Sequence, residues 1–122
     1  EERLKNAQRV VRLCKWIHSQ DILVVCAIQC IFDVILIENR DIFGKSYFQV
    51  ELTASHDCLK KRDTKGFYKK WARGKIQNVV GLDIPYNSPS QSDLIIPTDD
   101  GTGVDVICKK ILNSMRTNKY EL

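Results

Sequence analysis

The run Ile22-Leu-Val-Val-Cys-Ala-Ile28 constrains this chain more than any other stretch. It is apolar without alternation and rich in β-branched residues, the pattern of a strand covered on both faces in a parallel sheet. Ahead of it, Leu4, Ala7, Val10, Val11, Cys14 and Ile17 recur at three- and four-residue steps, which predicts an amphipathic helix through about Ser19. Residues 33–42 favour a second helix, and Tyr47 to Leu52 a second strand. Ser55 is placed to cap a short helix over His56 to Lys61, because its hydroxyl can accept from an unpaired N–H of the first turn. Residues 64–75 read as a basic helix with a break near Gly74. Gly81, Pro85 and Pro89 mark a long irregular loop, and Asp93 to Pro97 a third strand, short or near an edge because of its proline. A turn through Asp99-Asp-Gly-Thr-Gly103 leads into a closing helix with Val104, Ile107, Cys108, Ile111, Leu112 and Met115 on one face. Helices alternate with strands and no hairpin signal intervenes, so the expected class is α/β with a parallel sheet.

Composition narrows the function. Hydrophobic residues at 43% and charged residues at 28% describe a folding chain rather than a disordered one. No apolar stretch is long enough to span a bilayer, and no export signal opens the chain. The first residue is Glu1 rather than Met, which suggests a fragment. Five cysteines without CxxC spacing, and two isolated histidines, give no zinc pattern. An odd number of cysteines without a disulfide-like framework fits reduced thiols in the cytoplasm.

Charge is uneven. Residues 60–75 hold eight basic side chains against a single acid, Asp63, while the whole chain carries only +4. A local basic patch on an otherwise acidic chain points to a localised anionic partner rather than to a membrane or a general nucleic-acid surface. Within the patch, Lys65, Lys69 and Arg73 fall four apart, and Phe67 and Trp71 share another face with Tyr68 nearby. Cations beside rings can meet a phosphate or sulfate together with a flat base. The plain alternative is a solvated basic face whose rings pack on the core.

Arg62-Asp-Thr-Lys-Gly-Phe-Tyr-Lys-Lys70 resembles the RDPKGLYKKA segment of adenylylsulfate kinases. Gly81-Leu-Asp-Ile-Pro-Tyr86 is similar to that family's GIDxPYE segment, and Asp93 to Ile96 with Thr98-Asp99 looks like its following strand and turn. Arg3-Leu-Lys-Asn6 sits where the family has RNEN. The resemblance covers nearly the whole chain and is strongest over 62–86. It implies a P-loop nucleotide-type kinase fold, a parallel sheet flanked by helices, with the first strand and phosphate loop absent from this chain. It further implies one partial kinase domain over 1–122: core and acceptor site in 1–58, a basic lid in 59–92, and a C-terminal strand and helix in 93–122. The implied reaction is transfer of phosphate from ATP, assisted by Mg²⁺, to the 3′-hydroxyl of adenylylsulfate in sulfate assimilation.

By this resemblance, Arg3, Asn6, Gln29, Phe32, Lys65, Asn78 and Val79 belong to the acceptor site. Arg62, Thr98, Asp99 and Gly101 lie near the ATP base. Cys30 takes the place of a serine that the family associates with the active site, and Val79 the place of a ring that stacks on the substrate adenine. Gly44-Lys45-Ser46 imitates the end of G-x-x-x-x-G-K-[ST], yet Asn39 occupies the first glycine position and a strand, not a helix, is expected to follow. The expected partner is a nucleotide-like small molecule, with no nucleic acid and no membrane; a homodimer, or fusion to another sulfate-assimilation domain, fits the resemblance. Rival readings are a kinase acting on another small molecule or nucleotide sugar, and an inactive anion- or nucleotide-binding module.

Overall fold

The apolar spacing at the start of the chain folds as expected. In the computed structural model, which describes residues 1–118 and Tyr120, helix α1 spans Glu2–His18 and turns Ala7 inward. Helix α2, Asp33–Phe43, packs against it and buries Ile35 and Asn39. Gly44, at φ +54, ends α2, and Gly44–Ser46 forms a single 3₁₀ turn. That turn runs into extended chain at Tyr47, so Gly44-Lys45-Ser46 is a helix terminus and not a phosphate loop, which would have to open a helix.

Strand β1, Val50–Thr53, pairs in parallel with β2, Leu94–Pro97, in the register Val50 to Leu94 and Thr53 to Pro97. The Asp93 and Leu94 N–H groups donate to the Gln49 carbonyl at 2.9 and 3.2 Å, and the Thr98 N–H to the Thr53 carbonyl at 2.8 Å, extending the ladder at both ends. Between the strands lie α3, His56–Lys61, and α4, Phe67–Ala72. Ser55 caps α3 as expected, its hydroxyl accepting from the Cys58 N–H at 3.3 Å. Helix α5, Val104–Thr117, closes the order and packs toward β2. An α/β arrangement with parallel pairing is thus present.

Three expectations are corrected. The run from Ile22 to Ile28 forms neither helix nor strand and pairs with no strand among the described residues, and it is open to solvent: Val25 is 89% exposed and Leu23 63%. Its composition demands cover on both faces, but the pairing of β1 and β2 leaves it outside their ladder. The strand expected from Tyr47 begins only at Val50, because Tyr47 and Gln49 engage side-chain hydrogen bonds. The basic helix is confined to Phe67–Ala72, since Gly66 at φ +69 and Gly74 at φ +67 take left-handed backbone at either side. The apolar core is small, with Ala7, Ile35 and Ile96 its buried members.

Candidate acceptor site

Two segments far apart in sequence wall one hollow. Helix α1 contributes Glu2, Arg3, Asn6, Ala7 and Arg9; the extended segment before α2 contributes Ile28, Gln29, Ile31 and Phe32; Val80 closes the rim. The hollow is open, with a volume of about 390 Å³, within the range of small-molecule sites. Its charges are two guanidinium groups, Arg3 and Arg9, against Glu2. Glu2 also lies 3.6 Å from the Lys5 ammonium, which pairs more closely with Glu1 at 2.6 Å.

Arg3 does more than line the wall. Its Nη2 donates to the Asn78 carbonyl at 2.6 Å, joining α1 to the loop after α4. That loop is folded by Asp83, whose carboxylate accepts from the Asn78 N–H at 2.7 Å and the Val79 N–H at 2.5 Å. Desolvation pushes the Asp83 carboxyl upward, but these N–H groups and the Trp71 indole outweigh it and hold it below the ordinary carboxylate range. Val80 then bridges to Ile84, and Gly81, at φ +85, turns the chain. The consequence is a register of one residue: Val80, not Val79, faces the hollow.

The other end of the loop is clamped as well. Asp33 Oδ1 accepts from the Ser90 N–H at 3.0 Å, which lowers the Asp33 pKa. Arg40 holds Asp93 through Nη1–Oδ1 at 3.2 Å and Nη2–Oδ2 at 2.9 Å, and also donates to the Gln91 carbonyl. Glu51, buried in β1, accepts from the Tyr86 hydroxyl at 3.2 Å and the Ser92 hydroxyl at 3.4 Å. Burial and then the Glu51 charge raise the Tyr86 pKa.

A second cluster forms beyond β2. Arg62 donates through Nη1 to the Thr98 hydroxyl at 3.2 Å and through Nη2 to the Thr98 carbonyl. The Thr98 hydroxyl donates to the Thr53 carbonyl at 2.9 Å. Asp99 Oδ1 accepts from the Ser55 N–H at 2.8 Å and from the Ser55 hydroxyl. Those Ser55 hydrogen bonds, with Arg62 nearby, hold the Asp99 carboxyl low. Gly101, at φ +73, supplies the turn that follows.

The residues singled out in the sequence therefore fall into separate groups. Arg3, Asn6, Gln29 and Phe32 share the hollow, and Asn78 reaches it through Arg3. Arg62, Thr98 and Asp99 share the second cluster. Cys30 is half-buried, donates its thiol to the Phe32 carbonyl at 3.7 Å and is not among the residues lining the hollow. Lys65, Lys69 and Arg73 are exposed and do not line the hollow. Of the rings beside them, Phe67 is 50% exposed and Trp71 37%. The basic stripe thus lies outside this hollow. Arg9 and Ala7 were missed, although they lie three and four residues from Asn6 and Arg3, the spacing of one helical face. Val80 had no signal beyond its neighbour.

A sequence profile described as adenylylsulphate kinase matches residues 1–97. The adenylyl-sulfate kinase of Clostridium kluyveri is 28% identical over 121 residues, covering 99% of this chain and 60% of the relative. That of Pseudomonas aeruginosa is 30% identical over 98% of this chain and 61% of the relative. That of Thermodesulfovibrio yellowstonii is 31% identical over 95% of this chain and 58% of the relative. The chain thus spans about 60% of the length of such relatives. With a profile match over most of its residues, the chain belongs to the adenylylsulphate kinase family.

Proposed function

We propose that the protein serves as an adenylylsulfate kinase, transferring phosphate from ATP to the 3′-hydroxyl of adenylylsulfate in cytoplasmic sulfate assimilation. The observation that carries this is the hollow between α1 and residues 28–32, where Arg3, Asn6, Gln29 and Phe32 converge from two separate segments. A guanidinium suits the phosphosulfate, because its planar donors match anionic oxygens. The Phe32 ring and Val80 give the adenine apolar surface, and Asn6 and Gln29 give it polar partners. In this reading residues 1–58 hold the acceptor, 59–92 form the lid, and 93–122 complete the base-binding end through Thr98, Asp99 and Gly101, with Arg62 reaching over from the lid segment. Lys65 meets the acceptor's anionic groups only if the lid moves toward the hollow.

ATP would supply the phosphoryl group, and Mg²⁺ would neutralise its charge. The described residues do not fit the triphosphate or the cation. Gly44-Lys45-Ser46 ends a helix, and among the described residues no group of three or more His, Cys, Asp or Glu is arranged to hold a metal ion. Among the described residues, no helix is long and apolar enough to cross a membrane.

Titration of the intact protein with adenylylsulfate tests the assignment. Arg3→Ala removes one charge-assisted contact, so affinity should fall about 10- to 100-fold, from roughly 1.5–3 kcal/mol per such bond. Unchanged affinity, or adenylylsulfate bound no better than adenosine monophosphate, rejects the reading. ATP consumption dependent on adenylylsulfate separates this kinase from one with another acceptor and from an inactive binding module.

A further inference from the structure

Arg3 and Arg9 both wall the hollow, yet only Arg3 is committed to the protein. Its Nη2 donates to the Asn78 carbonyl at 2.6 Å, which ties it to the loop whose Val80 closes the rim. Arg9 is exposed, and among the described residues it forms no ion pair and donates from its side chain to no protein acceptor. The sequence of α1 explains this. Its sole acid, Glu2, precedes Arg9 by about two helical turns, beyond the three- and four-residue steps at which helical side chains pair. Glu2 lies instead 3.6 Å from the Lys5 ammonium, which offsets its charge. The two guanidinium groups also stand apart. At about 1.5 Å of rise per residue, Arg9 sits about 9 Å farther along α1 than Arg3, with Asn6 midway between them.

We propose, on the acceptor reading given above, that Arg9 sets specificity in this hollow by taking the terminal sulfate of the nucleotide, while Arg3 fixes the rim. A base packed on Val80 beside Arg3 leaves its 5′ substituents to run along α1 past Asn6, and the outermost group meets Arg9. The planar fork of a guanidinium sets parallel N–H donors against two oxygens of such an anion. All five donors of Arg9 are free for this, so none has to leave a protein acceptor first. A nucleoside 5′-monophosphate ends one group short of Arg9. Arg9 therefore discriminates by reach rather than by charge.

The test titrates the intact wild type and Arg9→Ala with adenylylsulfate and with adenosine monophosphate by calorimetry. Arg9→Ala should weaken adenylylsulfate by about 10-fold or more, the loss expected of one hydrogen-bonded charge, and adenosine monophosphate by less than about 2-fold. Equal losses for the two ligands, or no loss for adenylylsulfate, in a protein whose wild type binds adenylylsulfate overturn this inference and leave the acceptor reading standing. A wild type that does not bind adenylylsulfate overturns both. Arg9→Gln keeps most of the stem, drops the charge and carries the same expectation, so it decides the matter if Arg9→Ala fails to fold.

Discussion

Replacing Arg40 by alanine should destabilise the protein by about 2 kcal/mol, because Arg40 is the only described cation that clamps the end of the loop to α2. The guanidinium makes two bonds to Asp93, at 3.2 and 2.9 Å, and another to the Gln91 carbonyl, and lies 5.4 Å above the Tyr47 ring. The pair is largely sheltered, with side-chain exposures of 25% and 22%, so solvent screening is weaker than for a surface pair. Hydrogen bonds to charged groups contribute about 1.5–3 kcal/mol. Arg40 Nε is buried without an acceptor, which offsets part of that gain and keeps the figure near 2. Asp93→Ala should cost about 2–3 kcal/mol, since it also strips the Gln49 N–H of its acceptor at 2.7 Å. In urea, with a slope of roughly 1–1.5 kcal/mol per molar for a chain of this size, the Arg40→Ala midpoint should fall by about 1.5 M. A double-mutant cycle on the intact protein should return a coupling of about 1–1.5 kcal/mol. Coupling below about 0.3 kcal/mol would show that the contact is a surface pair without energetic weight.

Two further tests address the loop. Gly81→Ala should destabilise by about 1–2 kcal/mol, because φ is +85 and the new Cβ would stand 3.4 Å from the His56 ring; an unchanged melt would contradict the left-handed turn. The Asp83 carboxyl titrates below its ordinary range in the folded protein, so the turn is fully held above that range and loosens as pH falls through the lowered value. The amide resonances of Asn78 and Val79 should therefore move together below pH ~4; movement at the pH of a free carboxylate would contradict the cradle.

Local chemistry was legible in the sequence wherever it was self-contained. Ser55 capping α3, the helix over Asp33–Phe43 and the amphipathic α1 all follow from spacing and short-range hydrogen bonding. So does the failure of Gly44-Lys45-Ser46 as a phosphate loop. Family motifs located Arg3, Asn6, Gln29 and Phe32, which do converge. What escaped was anything that depends on a partner distant in the chain. The apolar run at Ile22 announces burial, yet composition cannot say which strand will provide it. The basic stripe announces an anion, but a charge run looks the same whether it faces a ligand or water. Val79 and Val80 are chemically identical, and it is the fold of the loop, with Asp83 accepting from the Asn78 and Val79 N–H groups and Val80 bridging to Ile84, that brings Val80 to the hollow. A carboxylate at Glu51 in a strand reads as an outward residue; its burial depends on Tyr86 and Ser92 arriving from the loop.

The bare stretch from Ile22 to Ile28 carries a hazard for anyone handling this polypeptide. Among the described residues, none of its N–H groups donates to another backbone carbonyl, and its side chains are greasy and mostly wetted. Such a ribbon is a template for edge-to-edge stacking with its own kind. Preparations should clump with rising concentration unless something lies along that ribbon first, and a charged residue at Val25 should be the simplest cure.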